Sequence, residues 1–143
     1  PVQTNQTVEI ILPSILGYER IAMASSASFA LLKGLAPERI EDLKTIVAEA
    51  ATNAIQHGNG NRSETPVTVR LASIGGAIQV TVLDEGKGFD LNIKDPDIDR
   101  IINELDPPIG FGLFLIRNLA DEVAYTQIPE GGHQVEMRIA LVP

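Results

Sequence analysis

A chain of 143 residues with a formal net charge of -8 and 44% hydrophobic residues has the material for one packed core. It lacks the basic face by which a general nucleic-acid binder displaces counterions, and with no cysteine it has no disulfide scaffold, thiolate metal site or thiol nucleophile. No apolar run reaches the roughly 18–20 residues of a membrane span and no secretory leader opens the chain, so the expectation is a single cytoplasmic domain over residues 1–143 that meets neither nucleic acid nor membrane.

Val8 to Leu12 is apolar and largely β-branched and predicts a first strand, broken by Pro13 and Gly17. Tyr18 to Lys33, rich in Ala, Leu and Ile, predicts a helix that stops at Gly34. Pro37 opens a second helix, with Glu38 and Glu41 near its positive end. Its apolar stripe is Ile40, Leu43, Ile46, Val47, Ala50 and Ala54, and it is expected to run to His57 and stop at Gly58. A hairpin follows: Val67, Val69 and Leu71 alternate with polar residues, Gly75-Gly76 turns the chain, and Ile78, Val80 and Val82 alternate on the return. A two-residue turn pairs Leu71 with Val80 and Val69 with Val82.

Residues 86–109 have no clean period and many acids, which predicts a functional loop or lid over about 88–109, with a short helix near Ile98 to Leu105. Gly110-Phe111-Gly112 then opens a third helix, and two strands close the chain, Glu122 to Ile128 and His133 to Leu141. About five strands and three helices in this order predict an α+β two-layer sandwich, a mostly antiparallel sheet with the helices on one face.

Three groups of residues have the chemistry of a site. Glu49, Asn53 and His57 follow one another at four-residue spacing along one side of the second helix, at the border of its apolar stripe. A carboxylate there can accept a hydroxyl proton and an amide oxygen suits magnesium; the same spacing also occurs on ordinary amphipathic helices. Asp84 shares strand parity with Val80 and Val82, so it points inward, where a carboxylate needs a donor such as an adenine amine. Gly86 and Gly88 behind it let a backbone approach a flat base, though an Asp-initiated glycine turn reads the same way. Gly110 and Gly112 at a helix start offer free amides to phosphate, or simply a hinge.

In order and spacing these groups resemble the sequence boxes of the GHKL (Bergerat-fold) ATPases over nearly the whole chain. Glu49-Ala-Ala-Thr-Asn53-Ala-Ile-Gln-His57 is similar to their N box, Asp84-Glu-Gly86-Lys-Gly88 to the next, and Gly110-Phe-Gly112-Leu113 to the one after. Within that superfamily the wording is nearest the anti-sigma-factor serine/threonine kinases. The resemblance implies an ATP- and Mg2+-dependent kinase in which Glu49 is the base and Asn53 the metal ligand. Asp84 would accept from the adenine amine, with Gly86 and Gly88 lining the base pocket. His57, Gly110, Phe111, Gly112 and Leu113 would complete the nucleotide contacts. It also implies a homodimer, a captive sigma factor contacted near Arg20, and an anti-anti-sigma (STAS-type) protein as substrate.

Two features depart from the family. Its last box usually has threonine after the glycine that precedes the final strand, whereas here Gly132 is followed by His133 and Gln134. The lid segment carries Asp90, Asp95, Asp97, Asp99, Glu104 and Asp106 against Lys94 and Arg100. An alternative reading is therefore a nucleotide-binding switch of the same fold that binds partners without transferring phosphate.

Overall fold

A computed structural model describes residues 6–86 and 108–142, the last segment by backbone alone over 108–112. Its elements are β1 (Val8–Leu12), α1 (Glu19–Lys33), α2 (Pro37–Asn53), a π turn (Ala54–Gly58), β2 (Val67–Ile74), β3 (Ala77–Asp84), α3 (Pro108–Leu119), β4 (Glu122–Gln127) and β5 (His133–Ala140). The strands form one sheet in the order β1-β2-β3-β5-β4, and every pairing is antiparallel. The expected α+β sandwich is the observed fold. The lid and its short helix fall largely outside the described residues.

Period-two alternation builds the sheet's inner face. Leu71 pairs with Val80 and Val69 with Val82 across the Gly75-Gly76 turn, as the hairpin pattern requires. On the other side of β3, Ile78, Val80 and Val82 face Ile139, Met137 and Val135. All these side chains are buried. The same parity carries the ladder one step further, to Asp84 opposite His133, so an apolar stack ends in two inward polar groups.

The helices cover this face. Pro37 occupies the first turn of α2, where its fixed φ is already helical and its missing N–H costs nothing. Ile40, Leu43, Ile46 and Val47 of α2 are buried, each contributing about 1.5–3 kcal/mol by leaving water. Helix α1 buries Ala22, Ser26, Phe29 and Ala30 and ends at Gly34, whose φ of 90° lets its amide return to the carbonyls of Ala30 and Leu31. Arg39 ties α2 to the far end of α3, donating to the Leu119 carbonyl at 3.3 Å and to Asp121 at 3.2 Å. Asp121 in turn accepts from the Ala140 amide at 2.7 Å. Among the described residues no helix is long and apolar enough to cross a membrane.

Candidate active site

The second helix does not stop at His57 by fraying. After Asn53 it widens into the π turn, in which the Asn59 amide donates to the Ala54 carbonyl five residues back, at 2.8 Å. One extra residue per turn changes which side chains share a face. Asn53 is buried at 5% exposure, whereas His57 is exposed. The stacking of Glu49, Asn53 and His57 expected from a continuous α-helix therefore ends at Asn53.

The π turn also brings Gly58 against the end of β3. A Cβ on Gly58 would overlap the Asp84 carboxylate, and one on Gly86 would overlap the Gly58 carbonyl oxygen. On the opposite side, Gly132, at φ 104°, lies against the Asp84 carbonyl with no room for a Cβ. Gly86 is thus needed for packing against protein backbone, a reason distinct from the close approach of a base expected for it. Gly88 lies outside the described residues.

Asn59 locks this junction. Fully buried, it accepts from the Glu85 amide at 2.8 Å and donates to Ser14 Oγ at 3.0 Å and the Pro66 carbonyl at 3.0 Å. Ser14 Oγ donates onward to the Thr65 carbonyl at 2.6 Å. No sequence motif marks Asn59 or Ser14; only the fold brings four separated segments to one point.

Above this floor a cleft is lined by Ala50, Asn53 and Ala54 from the helix side, Val82 and Asp84 from β3, and Leu113 and Ile116 from α3, with Tyr125, His133 and Val135 closing it. Apolar walls with a few polar groups fit a flat heterocycle. The free space at its centre is about that of one water molecule, so a base enters only if a wall moves. Asn53 and Asp84, from two of the three sequence groups, and Leu113, which follows the third, share this one cleft. Glu49, half-buried on the preceding helical turn, and His57 do not line it.

Helix α3 begins at Pro108, two residues before the expected glycine start. Proline is pre-set for the first helical position, so the helix nucleates there. Gly110 and Phe111 then fall within its first turn, where amides still lack intrahelical partners, and Gly112 falls just beyond.

Burial sets the electrostatics. Asp84, 4% exposed, has its pKa pushed up to about 6 by loss of water, partly offset by the Gly86 amide that donates to Oδ1 at 3.1 Å. Burial likewise raises Glu49 and lowers His133. His133 Nδ1 stands 4.0 Å from Asp84 Oδ2. Since both shifts favour the neutral forms, this is contact between a carboxylate and an uncharged imidazole near neutral pH, not an ion pair.

Asn53 supplies a further observation. Among the described residues its amide nitrogen is buried without a hydrogen-bond partner, although buried polar groups are nearly always paired.

Residues 13–139 match the histidine kinase-like ATPase domain. The chain belongs to the histidine kinase-like ATPase family. Among curated members of this ATPase family it is similar to the serine-protein kinase RsbW of Bacillus velezensis, 32% identical over 121 residues, or 81% of this chain and 75% of that one. It is similar also to RsbW of Bacillus pumilus, 33% identical over 129 residues, or 83% of this chain and 79% of that one. These likenesses put this ATPase domain in the RsbW-like group. A structure of the RsbU and RsbW domains of a Mycobacterium tuberculosis protein shares the fold, with a TM-score of 0.68 at 20% identity over 94% of this chain. This chain spans 32% of that longer one.

Proposed function

We propose that this chain is a serine/threonine protein kinase and anti-sigma factor of the bacterial cytoplasm, which transfers the γ-phosphoryl group of ATP to a hydroxyl on an anti-anti-sigma (STAS-type) protein. The observation that carries this reading is the convergence of Asn53, Asp84 and Leu113 on one cleft in a chain of the RsbW-like group. Asp84, mostly ionised at neutral pH, accepts from the exocyclic amine of the base between apolar walls. The first-turn amides of α3 face the phosphates, where the helix dipole favours negative charge.

Magnesium fits the residues present. Asn53 lines the cleft, and its side-chain oxygen is a hard ligand of the kind magnesium takes; among the described residues no cluster of three or more acidic, His or Cys side chains would hold a metal by itself. That suits an ion completed by phosphate oxygens and water. When bound, it would neutralise charge on the phosphates. The chain's own contribution is positioning, which supplies most of the effect in phosphoryl transfer. Glu49, one helical turn before Asn53, is the base that takes the substrate hydroxyl's proton; burial raises its pKa and strengthens it as an acceptor.

Partner binding follows the same reading. Helix α1 exposes Ile21, Leu31 and Leu32, and the segment before it exposes Ile15 and Leu16. This apolar surface suits a homodimer. Arg20, exposed in the first turn of α1, adjoins it and is assigned to the sigma-factor contact.

One observation favours a switch that binds nucleotide without transfer: Glu49 does not line the cleft. Incubation with γ-labelled ATP, magnesium and a STAS-type partner separates the two. Label on a partner serine or threonine, lost in Glu49→Gln, supports the kinase; nucleotide-dependent binding with no label supports the switch.

A further inference from the structure

The β2–β3 ladder stops short at the cleft. Its register, continued two steps past the Thr68–Leu83 pair, puts Pro66 opposite Glu85. Proline has no N–H with which to complete a pair there. In place of a backbone bond, the side-chain amide of Asn59 stands between the two. Its Oδ1 accepts from the Glu85 amide at 2.8 Å, and its Nδ2 donates to the Pro66 carbonyl at 3.0 Å. A carboxamide offers the donor and acceptor of a peptide group, so Asn59 fills the gap between the strands as a piece of backbone would. A further bond from Nδ2 to Ser14 Oγ, at 3.0 Å, ties this wedge to the segment before α1. The whole side chain is buried, and the backbone amide of Asn59 closes the π turn on the Ala54 carbonyl at 2.8 Å.

We propose that Asn59 is a positioning residue of the cleft, holding the Asp84 carboxylate where it meets the base. The inference rests on the nucleotide-binding reading above and adds what sets its geometry. Asp84 closes the β3–β5 ladder. The turn after it, in which the Gly86 amide donates to Asp84 Oδ1 at 3.1 Å, begins at the peptide that Asn59 holds. Asn59 also follows Gly58 directly, and Gly58 lies against the Asp84 carboxylate with no room for a Cβ. One residue therefore fixes the main chain on two sides of that carboxylate, and it does so from outside the cleft, which it does not line. Without this link the turn over 84–86 relaxes and the carboxylate leaves the line of its hydrogen bond, which weakens steeply with angle. The apolar walls from Ala50, Val82, Ile116 and Val135 are unaffected. A residue that served stability alone would lower the melting temperature and leave the affinity of the folded chain unchanged.

The test is a double-mutant cycle on ATP affinity, with magnesium, over wild type, Asn59→Ala, Asp84→Asn and the double variant, by calorimetry well below each melting temperature. Asn59→Ala is expected to lose about tenfold in affinity, the size of one hydrogen bond. In the Asp84→Asn background the same change is expected to cost nothing further, so that the double variant binds within about twofold of Asp84→Asn. Wild-type affinity in Asn59→Ala overturns the inference, whatever the stability of that variant. Losses that add, with the double variant about tenfold weaker than Asp84→Asn, also overturn it, because Asn59 then acts through another group. Where Asn59→Ala does not fold, Asn59→Ser, which keeps a hydroxyl at the junction, is read by the same two outcomes. A wild type that binds no ATP, or an Asp84→Asn variant that binds it as the wild type does, removes the nucleotide reading itself, and this inference with it.

Discussion

Gly58 passes so close to Asp84 that a methyl group on its Cα would overlap the carboxylate. The contact joins the end of the π turn to the end of β3 and fixes the floor of the cleft. Gly86 repeats the device against the Gly58 carbonyl. Both obstacles are short-range, one of them backbone, so neither yields easily. Gly58→Ala and Gly86→Ala are expected to lose more than about 2 kcal/mol of stability, the scale of overpacking. Gly75→Ala, whose Cβ meets nothing, suffers only the strain of its positive φ. Urea denaturation of the three variants checks the order.

Asp84 makes stability depend on pH. Its folded pKa of about 6 lies above the ordinary value of 3.8, so the folded state binds the proton more tightly. That contribution is fully present below about pH 4 and is lost as pH rises through 6. A shift of about two units corresponds to roughly 3 kcal/mol at most. Asp84→Asn keeps an oxygen for the Gly86 amide and never acquires charge. It is expected to melt several degrees above wild type at pH 8, with the difference closing towards pH 4.

Asn53 is the proposed metal ligand. Among the described residues its amide nitrogen has no partner, so truncation removes an unsatisfied group. Asn53→Ala is expected to be as stable as wild type or more stable by about 1 kcal/mol. A large loss of stability in thermal melts would mean that Asn53 supports the fold and is not held for a ligand.

The proposed base, Glu49, can work only when ionised, and burial raises its pKa above 4.5. The rate of phosphoryl transfer is expected to rise with pH through that raised value. Glu49→Gln should lose transfer by about 100-fold or more, the scale of general-base catalysis, with ATP affinity within about threefold of wild type. Single-turnover transfer and equilibrium binding on the same preparations separate the two effects.

Much of this fold was legible because local rules agreed with tertiary packing. A two-residue turn and strict alternation fixed the β2–β3 register, and the same parity turned Asp84 inward. The same parity, carried across to β5, turns His133 inward too. The π turn left no trace in composition. An α-helical wheel therefore carried His57 onto the Asn53 face and treated Gly58 as a stop, when its lack of a side chain serves the contact with Asp84. Asn59 was equally hidden, since its partners Ser14, Pro66 and Glu85 are brought together only by the fold. Pro108 carried the signal for the start of α3, but the glycines after it matched a phosphate motif and took precedence.

The cleft as a magnesium-nucleotide site is tested most directly by calorimetric titration of ATP, with and without magnesium, into wild type, Asp84→Asn and Asn53→Ala, each confirmed folded by its melt. The account predicts magnesium-dependent binding by the wild type, at least tenfold weaker binding by Asp84→Asn with or without the metal, and loss of the magnesium dependence in Asn53→Ala. Wild-type affinity in both variants, or no binding by the wild type, would contradict it.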